Sequence, residues 1–178
     1  METEKNIKDF WESIHEINER GHLTGSSLNE VWGYLNIQNK LVPNIKILNI
    51  GIGTGAETIE LSKHNVIIDV LDISEIAINK VKDITRNQYL SSNIENLPIN
   101  EYDIAVSHLV SQHIDDDELN KQIKYVLRSL NTTGTFAMQF AFNDDNDNKT
   151  HDLDSQKHGN ICRSLSEMDS IIKKMEEI

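Results

Sequence analysis

Cysteine is nearly absent: Cys162 is the only one, so the chain cannot close an internal disulfide. With no basic cluster beside it, Cys162 reads as a packed thiol rather than a nucleophile. No apolar run approaches the roughly 20 residues of a membrane span. The N-terminus, "METEKNIKDFWESIHE", has no apolar core of the signal-peptide kind. These features lead us to expect a cytoplasmic protein with no membrane partner. Basic residues are outnumbered, 17 Lys and Arg against 29 Asp and Glu, for a net charge of −12. They also form no run, which argues against a nucleic-acid partner, because phosphate affinity comes from clustered Lys and Arg. No internal repeat is visible. What remains is 178 residues, 38% of them hydrophobic, the size of one globular domain.

Hydrophobic period assigns the elements. Ile7, Phe10, Trp11, Ile14 and Ile17 share one helical face. Ser26 or Ser27 can cap a second short helix running to Tyr34. "IKILNI" (45–50) and "NVIIDVL" (65–71) read as buried strands, with a helix over 56–63 between them. Ser74 caps a helix to about residue 82. "QYLSS" (88–92), "YDIAVSH" (102–108) and "TFAMQFAF" (135–142) are three further strands. Leu119, Ile123, Val126, Leu127 and Leu130 mark a long helix, whose start is signalled by Asp115, Asp116 and Asp117. The polar stretch 143–160 reads as a loop, without the Gly and terminal Glu of a calcium site, and we expect no metal. Ser164 and Glu167 form a capping box for a last helix.

Strands alternating with helices predict an α/β fold with a doubly wound, mostly parallel sheet. The expected organisation is a helical cap over 1–40, an α/β core over 41–142, and a polar loop and helix over 143–178 belonging to the same domain. Such sheets bind ligands beyond the carboxyl ends of their strands.

One such end carries "NIGIGTGAETIEL" (49–61), with glycines at 51, 53 and 55. Glycine supplies positive φ for a tight strand-to-helix turn and lets a ligand touch the backbone. Asp72 closes the second strand, where a carboxylate can accept both ribose hydroxyls. From its place at a strand end, its removal should spare the fold. Together, the loop and the acid point to an adenosine-containing ligand. Gly51, Gly53 and Ala56 also satisfy the dinucleotide fingerprint, so the glycines alone leave NAD open. No Tyr-x-x-x-Lys pair occurs, which removes the short-chain dehydrogenase mechanism.

The order of five segments resembles the class I S-adenosylmethionine-dependent methyltransferases of the small-molecule type. They are "ILNIGIGTGAETIEL", "VLDISEIAI", "SSNIENLPI", "EYDIAVSHLVSQHI" and "VLRSLNTTGTFAMQF". The resemblance implies a Rossmann-like methyltransferase fold and S-adenosyl-L-methionine as cofactor. The expected reaction is methyl transfer to an O or N atom of a small molecule. Gly51, Gly53 and Gly55 would pass the methionine and ribose part, Asp72 would hold the ribose, and Ile73 would pack on the adenine. Asn93 and Ile94 would meet the adenine edge. "NTTG" (131–134) stands where the family has a Pro-Gly-Gly turn.

Methyl transfer needs alignment more than a nucleophile, with a base only if the acceptor must lose a proton. His113 and His108, just past the fourth strand, are the candidates for that base, and His108 is equally a cofactor contact. Trp11 and His15 are placed to close over the cofactor as a lid, Trp11 alternatively as core packing. The family's sheet has seven strands, and only five are legible here, so we expect a sheet that lacks the last two. A partner copy completing the sheet as a homodimer, strand in "KHGNICRS", or a truncated chain would each account for this. The alternatives are a non-catalytic module binding S-adenosylmethionine or S-adenosylhomocysteine and an NAD-dependent oxidoreductase.

Overall fold

The computed structural model describes residues 2–17, 32, 33, 35–141 and 161–176. Five strands form one parallel sheet: β1 (Lys46–Ile50), β2 (Ile67–Asp72), β3 (Asn87–Leu90), β4 (Tyr102–Ser107) and β5 (Leu130–Met138). Their order is β3-β2-β1-β4-β5. Among the described residues, the α-helices whose bounds are fixed are α1 (Glu2–Ile17), α2 (Ala56–Leu61), α3 (Glu75–Val81), α4 (Asp116–Ser129) and α5 (Leu165–Glu176).

Alternation along the strands builds two cores. Ile47, Ile68, Val70, Ile104 and Val106 pack with Leu61 of α2 and with Ala77 and Val81 of α3. Leu48, Leu71 and Ala105 face the other way, onto Val126 of α4 and the Ile94–Leu97 turn. The chain is thus the expected doubly wound α/β sandwich. Several local expectations hold in detail. Ser74 Oγ accepts the Ala77 N–H at 3.1 Å, and Asp115 caps α4 through the Glu118 N–H at 2.9 Å. Ser164 and Glu167 exchange both bonds of a capping box.

The structure moves two strands: β3 ends at Leu90 rather than residue 92, and β5 ends at Met138 rather than residue 142. β5 begins at Leu130, five residues before the expected start, so Leu130 closes the strand pairing rather than the helix. Leu130 pairs with Tyr102 and Thr135 pairs with Ile104, so Asn131–Gly134 bulges out between them. The "NTTG" turn is therefore an irregularity within a strand. At the far end of β5, Arg163 N–H bonds Ala141 O at 2.9 Å and Ile161 N–H bonds Gln112 O at 2.6 Å. These two residues form isolated bridges only, and no further strand appears among the described residues. The expected helix up to Tyr34 lies largely outside the described residues, although Trp32 and Gly33 are helical, and the polar stretch 143–160 lies wholly outside them.

Candidate functional site

The sheet reverses its winding between β1 and β4, and a cavity of about 250 Å³ opens beyond the strand ends there. Its floor is the loop after β1. Gly51 has φ +70°, and a Cβ built on it would lie 2.0 Å from Val110 Cγ2, so no larger residue fits against the β4 loop. Gly53 also lines the cavity. Gly55 does not line it: with φ +82° it starts α2, and a Cβ built on it would lie 2.6 Å from Val81 Cγ1 of α3. That glycine permits the close packing of α2 on α3.

Asp72 lies at the cavity wall and is 5% exposed. Its Oδ1 accepts the Ser74 N–H at 2.8 Å and its Oδ2 the Gly53 N–H at 3.4 Å. Burial pushes its carboxyl up to about 6, against the pull of those backbone donors. Ile73 and the buried Ile94 line the same side, together with Ser91. Asn93 is exposed and does not line the cavity, so the structure does not bring it to the other residues.

The segment after β4 forms the opposite wall, with His108, Leu109, Val110 and His113. Leu109 takes φ +58°, unusual for a bulky side chain and a mark of local strain. His113 ends a 3-10 turn, and Gln112 Nε2 approaches its Nε2 at 3.3 Å. Arg163, 0% exposed, clamps this segment from outside. Its guanidinium donates to Ser111 O at 2.6 Å, Ile114 O at 2.8 Å and Asp116 Oδ1 at 3.1 Å.

α1 is the roof. Ile7, Phe10, Trp11 and Ile14 of the apolar stripe line the cavity, and His15 lines it beside them. Trp11 packs edge-on against His113, centroids 4.8 Å apart at 67°. Glu12 anchors the helix to the start of α3, accepting from Ser74 Oγ and from the Glu75 N–H, each at 2.9 Å. Lys8 pairs with Glu75 at 3.2 Å, and Lys80 Nζ donates to His15 O at 3.1 Å. Burial, with Lys80 assisting, lowers the His15 pKa to about 4.

Sequence reasoning missed Glu57, Glu12 and Arg163. Glu57 lines the cavity, accepts from Trp32 Nε1 at 3.0 Å, and is pushed up to about 7 by burial. Its place two residues after the last glycine is a usable signal; Glu12 and Arg163 act across distant segments and give none. Among the described residues, no group of three or more His, Cys, Asp or Glu is arranged to hold a metal. Nor is any described helix long and apolar enough to cross a membrane.

Residues 47–134 match the sequence model of a methyltransferase domain. The chain carries a methyltransferase domain. No curated protein sequence matches it significantly. Among solved structures, it is similar to phosphoethanolamine N-methyltransferase 2 of Haemonchus contortus, crystallised with phosphomonomethylethanolamine and S-adenosylhomocysteine. The TM-score is 0.69 at 18% identity, over 95% of this chain and 44% of that one. A protein of Galdieria sulphuraria classed as a sarcosine dimethylglycine methyltransferase gives 0.66 at 22% identity, over 83% and 60%. Magnesium protoporphyrin IX methyltransferase of Synechocystis PCC 6803, with bound S-adenosylhomocysteine, gives 0.67 at 14%, over 97% and 88%. The chain thus spans less than two thirds of the first two. The likeness establishes the fold of this methyltransferase domain: the Rossmann-like fold of the class I S-adenosylmethionine-dependent enzymes.

Proposed function

We propose that the domain binds S-adenosylmethionine in the cavity and transfers its methyl group to an oxygen or nitrogen of a small molecule. The observation that carries this reading is the meeting of Gly51, Gly53 and the buried Asp72 on one cavity at the switch point of the sheet. The residues present fit the cofactor. With a pKa of about 6, Asp72 is mostly ionised at neutral pH. Its 3.4 Å bond from Gly53 is long enough for a ribose hydroxyl to be a better donor to that oxygen. Gly51 and Gly53 let the ligand rest on the backbone, and Ile73 and Ile94 give an apolar slot for a purine.

The cofactor supplies an activated methyl on sulfur, ready for in-line displacement. The chain's own contribution is alignment and exclusion of water, which α1 provides by covering the cavity. His113 is the candidate base: a proton leaving the acceptor would pass to its ring, whose face is fixed by Trp11. His108 is assigned to cofactor contact. Gly55 is assigned to holding the loop, and Asn93 takes no part.

Calorimetry with S-adenosylmethionine and S-adenosylhomocysteine tests the reading. Heat of binding to both is expected, and none from folded protein would overturn it. Incubation with labelled cofactor and a metabolite extract then tests transfer. His113→Ala should reduce labelled product while leaving cofactor affinity unchanged.

A further inference from the structure

His15 is 4% exposed and lines the cavity, yet neither ring nitrogen has a hydrogen-bond partner among the described residues. Polar groups buried without partners are unfavourable and rare in folded proteins. A packed aromatic such as Phe would fill the same space without that cost, so the imidazole calls for an occupant of the cavity that completes it.

The position narrows the choice of occupant. The turn of α1 that bears His15 is fixed to α3 by Glu12 on Ser74 and Glu75 and by Lys80 on the His15 carbonyl. Ser74 is also the residue whose N–H the Asp72 carboxylate accepts. Trp11, one turn earlier, lies against His113 on the β4 side. α1 thus sets Trp11 against the candidate base and His15, its ring 6.1 Å from that of Trp11, in the same cavity on the turn tied to α3.

The chemistry narrows it again. Burial foremost, then the Lys80 charge, keeps the imidazole neutral despite Glu12. A neutral imidazole offers one N–H and one lone pair and forms no ion pair. It suits a hydroxyl, which both donates and accepts.

We infer that His15 hydrogen-bonds a ribose hydroxyl of the bound cofactor, reading the sugar from the roof while Asp72 reads it from the wall. This rests on the cofactor reading above and assigns α1 a part in nucleoside specificity beyond covering the site.

The test is calorimetry of the parent protein, His15→Phe and His15→Asn with S-adenosylhomocysteine and its 2′-deoxy and 3′-deoxy forms. For one neutral hydrogen bond, His15→Phe should weaken the parent ligand roughly three- to tenfold. It should also shrink the penalty for losing one of the two hydroxyls by a similar factor. His15→Asn, which keeps an uncharged donor and acceptor, should recover part of both. A merely structural role for His15 would weaken all three ligands equally and leave the deoxy penalties intact, which would overturn the inference. So would binding by His15→Phe within twofold of the parent. If the parent itself binds no S-adenosylhomocysteine, the cofactor reading fails and this inference with it. If the parent binds and the deoxy penalties do not depend on residue 15, only this inference fails.

Discussion

Asp72 Oδ1 accepts the Ser74 N–H at 2.8 Å, while Ser74 Oγ donates to Glu12 at 2.9 Å and caps α3 through Ala77. One serine therefore joins the candidate ribose acid, the helix after it and the roof of the cavity. Asp72 is buried within this network.

The substitution that separates its two roles is Asp72→Asn. The amide oxygen can still accept the Ser74 N–H, so the fold should persist. The charge is lost, and hydrogen bonds to a charged group are worth about 1.5–3 kcal/mol each. Affinity for S-adenosylhomocysteine should fall at least about tenfold, since roughly 1.4 kcal/mol is a factor of ten. Calorimetry beside a urea titration reads both quantities, and unchanged affinity in a folded variant would place the cofactor elsewhere.

Gly51→Ala tests the floor. The new methyl would meet Val110 Cγ2 at 2.0 Å, in a backbone with φ +70°. Overpacking and left-handed strain together should cost about 2–4 kcal/mol. Val110→Ala removes the obstructing methyl but not the strain. The double variant should then be more stable than the sum of the two single effects, a coupling that denaturation midpoints measure.

Arg163→Met tests the clamp behind His113. It removes the buried donor to the carbonyls of Ser111 and Ile114 and the bond from Arg163 to Asp116. A loss of about 2–4 kcal/mol is expected. Hydrogen exchange should quicken over residues 111–116 more than over β1 and β2. Uniform protection across the chain would show that Arg163 does not hold that segment.

The fold was legible because its signals are local. Ile47, Leu48 and Val70 sit in short segments rich in β-branched and apolar residues, Ser74 and Ser164 announce helix starts, and glycines at 51 and 53 mark the turn into the cavity. Asp72 and the two histidines after β4 followed from their places at strand ends. What stayed hidden depends on residues far apart in the chain. Asp69 looks like an interruption in an apolar strand. In the fold, Arg86 grips it through both oxygens, at 3.0 and 2.7 Å, and Tyr102 donates to it at 2.8 Å. Glu12, Arg163 and the start of β5 are of the same kind: their meaning lies in partners that no period or spacing names. Asn93 is exposed and outside the cavity lining, a placement that its motif position does not announce.

Glu57 offers the last test, through pH. Burial raises its pKa from 4.5 to about 7, while the Trp32 N–H opposes the rise. A carboxyl raised on folding binds its proton more tightly in the folded state. Its favourable contribution is therefore complete below about pH 4.5 and is lost as pH climbs through about 7. Glu57→Gln keeps an oxygen for Trp32 Nε1 and removes the titration. Relative to the parent, the variant should gain stability between pH 5 and pH 8, by about 1–3 kcal/mol. Urea titrations of both proteins at the two pH values isolate this change, because every other titrating group is common to them. A stability difference that stays constant across the range would mean that Glu57 is ionised and solvated, and that the floor of the cavity is wetter than its burial indicates.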